Sequence, residues 1–190
     1  MVIQESREAQ QAGTSNGGQR LNLNSGFLSR RGWPIRCAKN MKTSILRSFL
    51  DGTCDARTLA KDLEGGVTRI SYDVISQCID DDLDGESPVT AAHLVVICDA
   101  FTNGDLTAQM VEQIAFSMMA SDSFDWDCNT SDGVRVAEVI GWWDSPEINY
   151  PITDATMTKF RHYLSTGENL FTREDLSPGF SCAVRSTPPE

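Results

Sequence analysis

Two stretches of this sequence stop in the same way. Phe49-Leu50-Asp51-Gly52 leads on to Ala56 and Leu59, and Phe101-Thr102-Asn103-Gly104 leads on to Ala108 and Val111. In both, apolar residues at helical spacing run up to an aromatic, glycine follows three residues later, and a polar residue restarts the chain. Glycine just past a helix adopts the left-handed conformation that ends it, and a polar residue soon afterwards caps the next helix. The pattern therefore makes an αα-hairpin. Tyr163 to Gly167, followed by Leu170, is a looser third copy. The spacing between copies is not constant, which excludes a solenoid of regular repeats. The fold class expected is all-α: a compact bundle of about six to seven short helices arranged as αα-hairpins.

Periodicity and capping residues place those helices. The first spans about 42 to 51 with Ile45, Leu46, Phe49 and Leu50 on one face. Asp55 caps a second, carrying Leu59 and Leu63, which Gly65 and Gly66 end. Ser71 caps a third running through about Ile79. An acidic turn, Asp80 to Glu86, then leads to a fourth with Pro88 in its first turn and Gly104 at its close. Thr107 caps a fifth, with Met110, Val111, Ile114, Ala115, Met118 and Met119 on its buried stripe. The sixth spans roughly Val134 to Trp143. Asn149-Tyr150-Pro151 is extended, because the residue before proline avoids the helical region, and Thr153 or Asp154 caps a seventh ending at Gly167.

Residues 1 to 40 hold Gly-Gly, Ser-Asn and Arg-Arg pairs with few apolar residues, and are expected to form a disordered, non-native upstream extension, with Met41 as the natural start of the domain. The acidic helical domain is assigned to 41–176 and a flexible C-terminal tail to 177–190. At 40% hydrophobic residues the chain has material for one buried core. Its apolar runs, such as Leu94 to Cys98, fall far short of the roughly 20 residues that cross a bilayer. No basic segment followed by an apolar run opens the chain, so no standard secretion signal is expected and a cytoplasmic location fits. The six cysteines are scattered singly, without CxxC spacing, and are expected to be reduced thiols.

The net charge of −11 is unevenly spread: residues 1–40 carry +4 and the remainder −15. Such an acidic body repels nucleic-acid phosphates and favours encounter with basic partners, although negative charge also serves plain solubility. Within it, Asp80, Asp82, Asp84 and Gly85 resemble the opening of an EF-hand loop. The twelfth position is Ala91 where a bidentate glutamate is needed, and Pro88 interrupts the exit helix, so no metal site is assigned. A second cluster, Asp122, Asp125 and Asp127, surrounds Phe124 and Trp126. Carboxylates alternating with large aromatics suit a surface that receives Lys or Arg, or else the rings anchor the loop to the core. Trp142 and Trp143 face different sides of a helix end, which leaves one of them as a candidate exposed anchor near Asp144 and Glu147. The histidines, His93 and His162, have no neighbours at metal-ligand spacing, and His93 reads as structural. No nucleophile elbow or phosphate-binding glycine loop is present, so neither catalytic residues nor cofactors are assigned.

The Phe49 to Leu59 segment, the acidic middle and Phe101 to Thr107 together resemble the small acidic helical immunity proteins of the bacterial colicin type and their relatives, over about residues 41–166. That resemblance implies a helical bundle inhibiting a basic toxin or nuclease by covering its active site with acidic side chains. It transfers no individual functional residue. The function expected is an acidic protein-binding module with a basic protein partner, and with no nucleic acid or membrane among its targets. Its contact residues would be Asp80, Asp81, Asp82, Asp84, Glu86, Asp122, Asp125, Asp127, Asp144 and Glu147, with Trp126 or Trp143 as aromatic anchor. Two alternatives stand beside it: a small helical hydrolase using a carboxylate and one histidine, and a regulatory module that self-associates through the Met-rich stripe of the fifth helix.

Overall fold

In the computed structural model, residues 39–69 and 75–177 are described, all within the unit Arg36–Glu190. The extension expected over 1–40 lies outside them except for Lys39 and Asn40, as does the tail beyond Ser177. The chain order is β1 (Met41–Lys42), α1 (Thr43–Leu50), α2 (Ala56–Leu63), β2 (Val67–Arg69), β3 (Ile75–Gln77), β4 (Ile79–Asp80), β5 (Ser87–Pro88), α3 (Ala91–Thr102), α4 (Ala108–Ala120), β6 (Phe124–Asp125), α5 (Ser131–Asp144), α6 (Asp154–Thr166) and a 3-10 turn, Arg173–Asp175. The protein is mostly helical, with three short strand pairs among the described residues.

The repeated Phe-x-x-Gly signal folds into one backbone turn used twice. Gly52 adopts φ 71° and Gly104 φ 79°, and each donates its N–H to the carbonyl of the aromatic three residues back, at 3.0 Å to Phe49 and 2.9 Å to Phe101. The two following amides return to Ser48 in the first copy and to Ala100 in the second. Gly167, at φ 79°, ends α6 by bonding to Tyr163, but no α-helix restarts nearby. The restarted helices are capped as their sequences require: the Asp55 carboxylate accepts from the Thr58 amide at 2.7 Å, and the Thr107 hydroxyl from the Met110 amide at 3.3 Å.

Of the helix expected over 71–79, Ser71 to Val74 lie outside the described residues, and the described part is strand. Val67–Arg69 and Ile75–Gln77 form an antiparallel pair, with Val67 opposite Gln77, and Ile79–Asp80 pairs in parallel with Met41–Lys42. This segment is rich in β-branched side chains, which favour strands, and a short apolar run does not by itself distinguish strand from helix. Pro88 likewise sits outside α3, whose N-cap is Thr90. It lies in a strand beside β6, where the flanking amides of Ser87 and Val89 bond to the Ser123 and Asp125 carbonyls at 2.6 and 2.7 Å. The proline position needs no donor there, so its missing N–H costs nothing.

Packing departs from simple sequential hairpins. The α1 and α2 helices pack on one another, but α3 packs most extensively on α6, and α4 on α5. The core is built from Leu46, Leu59, Leu94, Ile97, Ile114, Ile140, Trp143, Phe160 and their neighbours. The α4 stripe supplies Val111, Ile114, Ala115 and Met118 to this core, whereas Met119 is 55% exposed. Most of the stripe proposed for self-association is thus packed within the chain, with Met110 partly buried and Met119 exposed. Ser177, the last of the described residues, is buried and donates to the carbonyls of Asn149 and Pro146 at 2.9 and 2.5 Å.

Candidate functional site

The segment from Asp80 to Pro88 is laid along α1 and then against the loop from Ser121 to Asp127. At its start, Asp82 supplies the cap that α1 lacks from its own flank. Its carboxylate accepts from the Ser44 amide at 2.9 Å and the Ser44 hydroxyl at 2.7 Å, and its own amide donates to the Thr43 hydroxyl at 3.1 Å. Burial raises the Asp82 pKa, but the Ser44 and Thr43 bonds outweigh it, and the carboxyl is held below its usual range. Asp81 joins the two loops, because its Oδ1 accepts from Ser121 at 2.8 Å, Thr43 at 3.1 Å and Ser123 at 3.2 Å. Further along, Arg47 of α1 donates to the Ser87 hydroxyl at 2.5 Å while its Nε holds Asp51 at 2.7 Å. The β5–β6 pair then fixes Pro88 opposite Asp125.

The carboxylates at this face divide by what they touch. Asp81 and Asp82 are committed to the fold as described, and Asp127 accepts from the backbone and side-chain nitrogens of Asn129, both at 2.9 Å. Asp80, Asp84, Glu86, Asp122 and Asp125 are exposed, and among the described residues their carboxylates enter no ion pair or side-chain hydrogen bond. Trp126 is half-buried against the core and Phe124 is buried, so the Phe124 ring anchors the loop while part of Trp126 stays accessible.

Other proposed contact residues lie elsewhere. Asp144 and Glu147 are at the far end of α5, about 20 Å from its start at 1.5 Å per residue. There Glu112 has its pKa raised, first by burial and then by Glu147. Trp143 is no exposed anchor: it is 0% accessible and packs edge-on against Phe160 at 5.7 Å. Trp142 is half-buried, as the expectation of unequal exposure required, and meets Tyr150 edge-on at 5.3 Å. Tyr150 in turn stacks on Phe171 at 4.1 Å. These rings and the Lys159–Asp175 ion pair at 2.6 Å hold the segment after α6 in place.

No protein family, curated protein or solved structure matches this chain. Its function has to be read from the face itself.

The chemistry beyond the acidic face is limited. His93 accepts the Thr90 amide through Nδ1 at 3.2 Å, which makes it a cap for α3. His162 meets Glu168 at 3.0 Å on the surface. Among the described residues, no group of three or more His, Cys, Asp or Glu side chains is placed to hold a metal ion. No described helix is long and apolar enough to cross a membrane. A cavity of about 10 Å³, room for a single water, lies among Met41, Gly66, Cys78 and Gln113. Cys54, Cys98 and Cys128 are free, but Cys78 is disulfide-bonded, contrary to the expectation of reduced thiols. Spacing along the chain carries no information on which cysteines meet in space.

Sequence reasoning missed the holders of the face: Thr43, Ser44, Arg47, Ser121 and Ser123. One further signal was legible, since no Lys or Arg occurs between Arg69 and Arg135. The two loops are drawn from a stretch whose formal charge is entirely negative.

Proposed function

We propose that this protein is a binding module for a basic protein partner, received on the face made by Asp80 to Glu86 and Asp122 to Asp125. The observation that carries this reading is the alignment of two acidic loops by β5–β6 and Asp81, leaving five exposed carboxylates that meet no cation among the described residues. Like charges brought together raise the local negative potential, and a partner's Lys and Arg relieve it while association is accelerated. Trp126 supplies an amphipathic ring beside them. An immunity-like inhibitor that covers the active site of a basic toxin or nuclease is the specific form favoured by the sequence resemblance. A cytoplasmic location belongs to the same proposal, and there a disulfide such as that of Cys78 is expected to respond to redox conditions.

The test is affinity capture with the full chain from an extract of its source, at low and moderate salt, with mass spectrometry of what is retained. The expected result is a basic protein whose retention falls as salt rises and which is lost when Asp84, Asp122 and Asp125 are changed together to asparagine. Retention of the chain alone, or of a protein indifferent to both changes, rejects the proposal.

A further inference from the structure

An aspartate or asparagine directly before glycine exposes the backbone to attack by its own side chain. The glycine nitrogen can close a five-membered ring on the side-chain carbonyl carbon, and no Cβ on the glycine obstructs the approach. Four such steps occur among the described residues: Asp51–Gly52, Asp84–Gly85, Asn103–Gly104 and Asp132–Gly133; Asn16–Gly17 lies outside them. Three of the four hold the attacking nitrogen. The Gly52 amide donates to the Phe49 carbonyl at 3.0 Å, the Gly104 amide to the Phe101 carbonyl at 2.9 Å, and the Gly133 amide to the Thr130 hydroxyl at 3.0 Å. Two also hold the carboxylate: Asp51 accepts from Arg47 at 2.7 Å, and Asp132 from the Ala91 amide at 3.0 Å and Arg135 at 3.1 Å. Asp84–Gly85 has neither restraint. Both residues are exposed, and among the described residues neither the Gly85 amide nor the Asp84 carboxylate enters a hydrogen bond. A Cβ on Gly85 would meet nothing within 4 Å, so the step has room to turn. Its flanks are fixed, with Asp82 on the Ser44 amide at 2.9 Å and the Ser87 amide on the Ser123 carbonyl at 2.6 Å. The turn is therefore confined to a short run and needs no wider unfolding.

We propose that Asp84–Gly85 is a self-modification site, at which the folded chain converts its own backbone to an isoaspartyl linkage. The Gly85 nitrogen attacks Cγ of the protonated Asp84 carboxyl. The N–Cγ bond forms, the Cγ–OH bond breaks, and the hydroxyl leaves with the amide hydrogen as water, giving a succinimide. Water then adds back. Cleavage of the N–Cγ bond restores aspartate, whereas cleavage between the nitrogen and the main-chain carbonyl carbon carries the chain through Cγ and frees the α-carboxylate. Nothing is oxidised or reduced, and the product has the mass and charge of the original chain. Its backbone is longer by one CH2 and its carboxylate stands closer to the backbone by one, so the change reshapes the acidic loop without altering its charge. The step is independent of which partner the face receives, because it is read in the free chain.

The experiment incubates the full chain at neutral pH, folded and in concentrated urea, and follows each of the four steps by peptide mapping. Succinimide is read as a peptide lighter by one water, and isoaspartate as a peptide of unchanged mass and shifted retention that a protease specific for aspartate no longer cuts. In the folded chain we expect product at Asp84 to form at least about tenfold faster than at Asp51, Asn103 or Asp132, because those three must first open locally. In urea that advantage should vanish, with Asn103 leading by loss of ammonia. The Asp84→Glu variant keeps the charge but would need a six-membered ring, and its map at 84–85 should stay unchanged. Conversion at Asp51, Asn103 or Asp132 as fast as at Asp84 in the folded chain overturns the proposal. So does a folded chain with no product at Asp84 once the chain in urea has converted there, and the wild-type comparison decides even where the variant fails to fold.

Discussion

Gly133 lies where α5 begins its first turn over the loop from Asp127, and a Cβ there would stand 2.1 Å from the Asp127 carbonyl oxygen. That neighbour is backbone and cannot swing aside, so Gly133→Ala must displace the loop that carries Trp126. We expect a loss of about 1–3 kcal/mol or more in a urea titration. Gly141 in the same helix has nothing within 4 Å, and Gly141→Ala should be neutral or stabilising by up to about 1 kcal/mol. Equal shifts for the two would contradict the close approach. Trp143 offers a second contrast. Buried completely, it should cost about 3–5 kcal/mol as Trp143→Ala, and Trp126→Ala clearly less. The sequence identified Trp142 and Trp143 as facing different sides of the helix end, but it put forward Trp143 as the exposed anchor, and Trp143 is the one that faces inward. That choice depends on where α6 places Phe160, a contact between residues far apart in sequence.

These helices were legible because capping is local: α1, α2 and α6 begin and end within a residue or so of the positions the sequence assigns, and α4 starts on the Thr107 cap. The stretch from Val67 to Asp80 was not, because its strands pair with one another and with Met41–Lys42, partners that periodicity cannot supply. The N-terminus of α3 shows the same limit. It is capped partly from α5, through the Asp132 carboxylate accepting the Ala91 amide at 3.0 Å, and partly by His93. Burial lowers the His93 pKa, and the Arg47 charge lowers it further against the pull of Asp51 and Asp132. A histidine depressed below its ordinary 6.5 stabilises the fold in full above that pH, and the contribution is lost as pH falls through the folded value. An NMR titration should therefore place the His93 midpoint below 6.5, and the unfolding midpoint should fall between pH 7 and pH 5. His93→Gln, which keeps an acceptor for Thr90, should flatten that fall. A His93 midpoint at or above 6.5 would contradict the cap.

At the scale of the whole molecule, the net charge of −11 was readable from composition, but its organisation was not. The acidic residues from Asp80 to Glu86 and from Asp122 to Asp127 are some forty residues apart, and β5–β6 and the Asp81 bonds to Ser121 and Ser123 bring them side by side. The same geometry removes Asp81, Asp82 and Asp127 from the pool available to a partner and leaves Asp144 and Glu147 on a different part of the surface. It thus separates charges that hold the fold from charges free to attract. Association measured by stopped flow between the full chain and the basic protein it captures tests that division directly. The wild type is compared with a chain carrying Asp84→Asn, Glu86→Gln, Asp122→Asn and Asp125→Asn together. We predict an association rate at least about tenfold slower for the variant at low salt, with the gap closing as ionic strength approaches about 0.15 M and screening shortens to about 8 Å, and with an unchanged unfolding midpoint. Equal association rates at low salt would contradict the central claim that this face receives the partner.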